Sequence, residues 1–232
     1  MKTHQSLLLI LLFFTFGCSN NSSNSPEFIT QSSGKYLFNP DETIEIYFEE
    51  NELLMKWRGA NEIKPMKIDN NTFFVKEMNE KIQFLTNPSD NRLYISLVPK
   101  EKNQSIEYNF RKLNEGENIP SMYLENNQFD KALIGYLSIQ KSDSLSPAIQ
   151  ENYLNSKGYN LLRTDNTDQA INIFKVNTKL YPNSSNVYDS LGDALLQKGD
   201  TIEALKNFKK SLELDSGNKK AKRLIEKMTT KK

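Results

Sequence analysis

The chain repeats itself at a fixed interval, and that interval limits what its second half can fold into. Gly158, Ala170, Phe174 and Pro182 recur as Gly192, Ala204, Phe208 and Ser216, all at one constant offset. Leu154 and Leu161 recur as Tyr188 and Leu195 at the same offset. A period of about 34 residues belongs to stacked helix-turn-helix units, each too small to bury its own apolar face and completed by its neighbour. Within a unit the glycine and alanine let paired helices approach closely, while the phenylalanine fills the space beside them. Asn166 to Gln169 and Asp200 to Glu203 read as capping boxes that open the second helix of each unit. Pro182 stops one such helix.

Two units cannot bury a continuous core, for which about three are needed, so the flanks must contribute. Phe129, Ala132, Leu133 and Tyr136 copy the second-helix pattern, but Ala132 precedes Ala170 by slightly more than one period. The excess implies a degenerate unit with an insertion of four residues around Ser142 to Pro147, where Ser146 and Pro147 suit the start of the next helix. Beyond the second unit, Ala221, Leu224, Ile225 and Met228 lie at i, i+3, i+4 and i+7, a one-sided capping helix.

Ahead of the repeats the period changes to two. Apolar residues alternate at Ile44, Ile46 and Phe48, at Leu53, Met55 and Trp57, at Leu93, Ile95 and Leu97, and at Ile106, Tyr108 and Phe110. Such alternation predicts strands with one buried face. Separators such as Glu50-Asn51-Glu52, Asn70-Asn71 and Pro88-Ser89-Asp90-Asn91 are too short for helical crossovers, so the sheet should be antiparallel. About seven strands from Glu27 to Leu113 are expected, curled into a small barrel or half-barrel whose interior Tyr36, Phe73, Phe84 and the other aromatics fill. The expected fold class is α+β: a β-domain at 27–114, then an all-α repeat domain at 118–230. Degenerate helices at 118–141 precede units near 151–184 and 185–218, with the cap at 218–229. The short junction between Leu113 and Asn118 leaves the two domains little freedom.

At the amino terminus, Lys2 precedes an apolar run from Leu7 to Phe14, followed by Thr15-Phe16-Gly17-Cys18. The run is too short to span a bilayer, which takes about 20 residues, but suits a signal peptide over 1–17. Removing it leaves 29 basic and 29 acidic residues, because Lys2 is lost from the 30 Lys and Arg. A balanced charge gives no field to draw nucleic acid. The only histidine, His4, goes with the signal, and Cys18 is the only cysteine. No Ser-His-Asp triad, Cys-His pair, His/Cys zinc site or disulfide can then be built. No calcium-loop spacing or glycine-rich phosphate loop appears, so neither metal nor cofactor is expected.

Family resemblances sharpen these expectations. Gly17-Cys18 resembles the lipobox of bacterial lipoproteins, which implies that Cys18 is acylated, followed by a polar tether to Pro26. Ser19, standing where an aspartate would signal inner-membrane retention, points to the outer membrane. The repeated units resemble tetratricopeptide repeats, with Lys157, Asn177 and Ser216 as departures. The stretch from Tyr181-Pro182-Asn183 to Ser190-Leu191-Gly192 resembles repeats that follow the catalytic domain of certain bacterial serine hydrolases of the β-lactamase and penicillin-binding superfamily. The strand half is similar to their lipocalin-like appendage. Their catalytic domain is missing. Three Ser-x-x-Lys pairs occur, at Ser32, Ser138 and Ser216, where composition alone gives about two by chance, and no Lys-Thr-Gly partner accompanies them. No enzymatic activity is expected.

In related repeats the first helix of each unit lines a groove, which here would present Asn152, Asn155, Tyr159, Asn186, Asp189 and Asp193. Asparagine can bond a peptide backbone both ways, and the two aspartates would favour a basic or donor-rich ligand. The lysine and arginine cluster that grips a terminal carboxylate in chaperone-binding relatives is absent. The expected role is a membrane-anchored scaffold for another envelope protein or peptide. Alternatives are an accessory partner of a serine hydrolase, or a carrier of a small apolar ligand in the β-domain. From Gly217 the chain carries seven basic residues and one acidic, against 10 basic and 14 acidic over 115–216, which reads as the polar face of the cap.

Overall fold

In the computed structural model of the chain, which describes residues 23–101 and 103–230, the alternating half forms one antiparallel sheet. Its strands are β1 (Gly34–Asn39), β2 (Glu42–Glu49), β3 (Glu52–Trp57), β4 (Ala60–Ile63), β5 (Met66–Lys67), β6 (Thr72–Val75), β7 (Glu80–Asn87), β8 (Arg92–Leu97) and β9 (Phe110–Lys112). The order is β4-β3-β2-β1-β9-β8-β7-β6-β5, two meanders joined where β1 pairs with β9. The edge strands β4 and β5 are separated only by Lys64 and Pro65. Three peptide steps reach at most about 11 Å, so the sheet must curl until its edges nearly meet. Pro65 lacks an N–H to donate there. The result is a half-barrel around Tyr36, Ile44, Ile46, Met55, Phe73, Val75, Ile82 and Ile95, all essentially inaccessible.

Local chemistry explains the hairpins. Glu50 and Asn51 both take positive φ, 48° and 65°, in the two-residue loop between paired Glu49 and Glu52, the geometry that matches strand twist. At the β1–β2 tip, Asn39 Oδ1 accepts from the amide of Asp41 at 2.9 Å, an Asx turn.

Three expectations for this half need correction. Among the described residues there are nine strands rather than about seven, because β4 and β5 are short and carry mostly exposed residues with no alternation to read. Ile106 and Tyr108 lie outside any strand. Asn109 Oδ1 takes the amide of Leu97 at 2.8 Å, a ladder position the incoming backbone would have filled, and Ile106 is left 50% exposed. The chain at Glu27 is helical: α1 spans Pro26–Ser32, capped by Ser25 Oγ on the amide of Phe28, with Pro26 in its first turn. Phe28 enters the barrel, stacked 5.8 Å from Phe73 and edge-on to Phe84 at 5.3 Å. Asn24 is buried and donates to the carbonyl of Asn51 at 2.8 Å, so the polar stretch expected to be tether as far as Pro26 is already part of the fold at Asn24. Cys18 and the signal-like segment lie outside the described residues.

The helical half contains α2 (Pro120–Glu125), α3 (Phe129–Ser142), α4 (Glu151–Arg163), α5 (Thr167–Leu180), α6 (Ser185–Lys198), α7 (Thr201–Leu214) and α8 (Lys219–Thr229). α4, α6 and α8 start one period apart, at Glu151, Ser185 and Lys219, as do α5 and α7, at Thr167 and Thr201. α3 starts at Phe129, more than a full period before α5, so the four-residue insertion lies between α3 and α4. There Pro147 opens a short 3₁₀ turn instead of the helix, which begins at Glu151 after an extended Gln150. A methyl group on Gly158 would sit 2.5 Å from the ring of Phe174, and one on Gly192 would sit 2.7 Å from that of Phe208. Ala170, Phe174, Ala204 and Phe208 are fully buried. Asp200 caps α7 by accepting from the amide of Glu203 at 3.1 Å. Asn166 precedes α5 without capping it, because its Nδ2 turns back to the carbonyl of Thr164. α5 ends at Leu180, just short of Pro182, as the restriction on pre-proline backbone requires.

Candidate binding face of the repeats

The regular offset stacks side chains of α4, α6 and α8 into columns: Asn152–Asn186–Lys220, Asn155–Asp189–Arg223 and Tyr159–Asp193–Lys227. From sequence the columns are expected to end at α6, since α8 has the pattern of a cap. Continuing the same interval from Ser185 to Lys219 would have added the third helix.

Lys220 decides the electrostatics of this face. Its ammonium lies 2.6 Å from Asp189 Oδ2 and also pairs with Asp193. Asn218 Nδ2 donates to Asp189 Oδ1 at 3.2 Å, and the Tyr159 hydroxyl donates to Asp193 at 2.7 Å, with Ser190 Oγ 3.3 Å away. Burial works against the charge on Lys220, but its hydrogen bonds and the field of the two aspartates prevail and hold it above the usual lysine range. Burial, with Asp193, pushes the Tyr159 phenol up to about 12. Asp189 and Asp193, expected as acceptors for a basic ligand, instead share one lysine of the chain, which offsets one of their two charges. The network ties α4, α6 and α8 into one surface.

What stays open is mainly amide and cation. Asn152 is exposed, and Asn186 is exposed with its Nδ2 on Glu151 Oε1 at 2.9 Å. Asn155 is less open: it is half-buried, and its Oδ1 is closed off from solvent with no hydrogen-bond partner among the described residues. Arg223 and Lys227 are exposed at the far end of their columns.

A second polar cluster, which no sequence motif signals, joins the two domains. Asp41, at the β1–β2 tip, has a side chain only 1% exposed. Its carboxylate accepts from the amide of Ser121 at 2.6 Å, from the Tyr136 hydroxyl at 2.6 Å and from Lys157 Nζ at 3.2 Å. These donors come from α2, α3 and α4. Tyr136 occupies the place of Phe174 and Phe208 in its own unit, and Lys157 stands one period before Leu191. Both departures from the repeat pattern thus converge on one aspartate of the β-domain. Beside them opens a cleft of about 330 Å³ whose lining includes Trp57, Arg58, Tyr153 and Lys157. The junction is braced again where Arg111 grips Glu117, holding that carboxyl down at about 2.

None of the three Ser-x-x-Lys pairs forms a recognisable reacting group. Ser32 Oγ donates to the carbonyl of Phe28 at 2.6 Å, Ser138 lies on the exposed face of α3, and Ser216 lies in the turn before α8. Among the described residues no group of three or more His, Cys, Asp or Glu side chains is gathered for a metal ion.

The family profile described as Tetratricopeptide repeat matches residues 185–218, the α6–α7 unit. No curated protein matches. Among solved structures, the chain is similar to the Sgt2 TPR domain from Aspergillus fumigatus, at 19% identity over 48% of this chain and 73% of that one, with a TM-score of 0.35. It is also similar to the MamA R50E mutant, at 20% identity over 48% of this chain and 78% of that one, with a TM-score of 0.39. A third likeness is the first TPR of Spaghetti (RPAP3) bound to HSP90 peptide SRMEEVD, at 18% identity over 48% of this chain and 85% of that one, with a TM-score of 0.34. The α6–α7 unit is thus the part that matches the tetratricopeptide-repeat profile, and α4–α5 repeats its spacing and its glycine–phenylalanine contact.

Proposed function

We propose that the chain is an envelope lipoprotein, acylated at Cys18 and held at the outer membrane, that acts as a non-catalytic scaffold. Its α4–α6–α8 face takes an extended segment of another envelope protein or peptide. The observation that carries this reading is the network of Tyr159, Asp189, Asp193 and Lys220, which ties three successive helices into one surface on which the Asn152 and Asn186 side chains are exposed. Amide side chains donate to and accept from a peptide backbone. Arg223 and Lys227 would favour an acidic side chain at that end of the segment, the reverse of the ligand polarity expected from the two aspartates alone.

The experiment is recovery of cross-linked partners from the native membrane with the acylated protein and with an Asn152→Arg, Asn186→Arg double variant. Both positions are exposed, so the helices should keep their circular dichroism while the partner is lost. Undiminished recovery would sink the assignment of this face. A recovered serine hydrolase would favour the accessory-domain version. Carriage of an apolar ligand in the barrel would require Phe28 to leave its place between Phe48, Phe73 and Phe84.

A further inference from the structure

The half-barrel carries an apolar patch on its outer side close to where the chain enters the fold. Met66 is 61% exposed and Ile68 50% exposed. Ile68 follows β5 directly and its amide donates to the carbonyl of Thr72 at 2.9 Å, so the alternation continues and puts it on the side of Met66. Phe74, opposite Met66 in the ladder, is half-buried on that same side. Lys67 points the other way, paired across from the buried Phe73, and its Nζ reaches the carbonyl of Ser23 at 3.2 Å. Ser23 therefore lies within one lysine side chain of the β5 edge, on the side away from the patch. Asn24, bonded to Asn51, and Phe28, inside the barrel, fix that entry point to the sheet.

From Ser23 back to Cys18 there are five peptide steps, which reach at most about 18 Å in any conformation. We propose that Met66, Ile68 and Phe74 form a membrane-docking surface that rests on the phospholipid bilayer beside the acyl anchor. The proposal depends on Cys18 acylation, as in the reading above. An anchor this close presents the bilayer to the patch at high effective concentration, which three side chains alone could not secure. The rim does not select anionic headgroups. Lys64 is ion-paired to Glu62 at 3.0 Å, and Glu49, Glu50 and Glu52 stand on the neighbouring β2–β3 hairpin. The contact is apolar and suits zwitterionic lipid.

The test uses full-length acylated protein in phosphatidylcholine–phosphatidylethanolamine vesicles, with acylation verified by intact mass. A single cysteine carrying an environment-sensitive fluorophore replaces Met66, Ile68 or, as the control on α7, Ile202, which is 82% exposed. Acyl-brominated lipid should quench the labels at 66 and 68 at least about twofold and leave the label at 202 unchanged. A Cys18→Ser protein should show no quenching at any position, since the patch needs the anchor. Acylated protein whose labels at 66 and 68 stay unquenched, or are quenched no more than at 202, overturns the docking surface alone. An unmodified Cys18 overturns both the docking surface and the anchor.

Discussion

Asp41→Ala is the most informative single change, because the structure makes one side chain hold two domains together. Its loss strands the Tyr136 hydroxyl, which is fully buried, and the amide of Ser121. Each buried donor left without an acceptor costs about 1–3 kcal/mol. Lys157 also loses its counter-ion, but its side chain keeps 29% exposure and can turn to water, so its share is smaller. We expect a destabilisation of about 3–4 kcal/mol, inside the range of about 3–5 kcal/mol for breaking a buried pair. Urea unfolding reads this through two probes. Trp57, the only tryptophan in the chain, lines the cleft beside Asp41, and far-ultraviolet circular dichroism follows the helices. The two transitions should coincide in the native protein and separate in the variant. Tyr136→Phe should cost less in the Asp41→Ala background than alone, because the stranded donor is then removed. A loss under about 1 kcal/mol, the low end for one stranded donor, or strictly additive effects of Asp41→Ala and Tyr136→Phe, would refute the latch.

Four further outcomes follow from the packing and the charges. Gly192→Ala places a methyl group 2.7 Å from the Phe208 ring, and chemical denaturation should show a loss of about 1–3 kcal/mol from overpacking. Lys220→Met leaves Asp189 and Asp193 facing each other unneutralised. Hydrogen exchange in α8 should rise, and Asp193→Asn should restore part of the protection. Because the pairing raises the folded-state pKa of Lys220, its contribution is complete below the unfolded lysine value and fades as pH climbs through the folded one, so α8 should loosen in strong alkali. Glu117 has the opposite sign: Arg111 first, then the Asn114 amide, depress its pKa from 4.5 to about 2. Its stabilisation is complete above about 4.5 and is lost as pH falls towards 2, so Glu117→Gln should flatten that limb of the stability profile.

The repeat domain was legible because its physics is local. A glycine against a phenylalanine, met twice at one interval, specifies a helix pair, and Gly158–Phe174 and Gly192–Phe208 do make that contact. The β-domain was legible as a class and less so in its parts. β4 and β5 carry no alternation, and the Ile106–Tyr108 alternation was overridden by Asn109, a side chain that takes a backbone's place in the ladder. Phe28 could not be placed inside the barrel from sequence because the contact is long-range. The binding face was half legible: the columns through α4 and α6 followed from the period, but Lys220 pairs with their two aspartates from a helix read only as a cap. Asp41 was invisible by itself. Its trace lay in Tyr136 and Lys157, two departures from the repeat that make sense only together.

The scaffold claim is tested most directly by photo-cross-linking from single positions in the native membrane. A photoreactive residue would be placed at Asn152, Asn155 or Asn186 on the proposed face, and at Ile202 on α7 as the control. The account predicts one common protein partner captured from the three face positions and absent from Ile202. Capture from Ile202 alone, or the same adducts from all four positions, would contradict it.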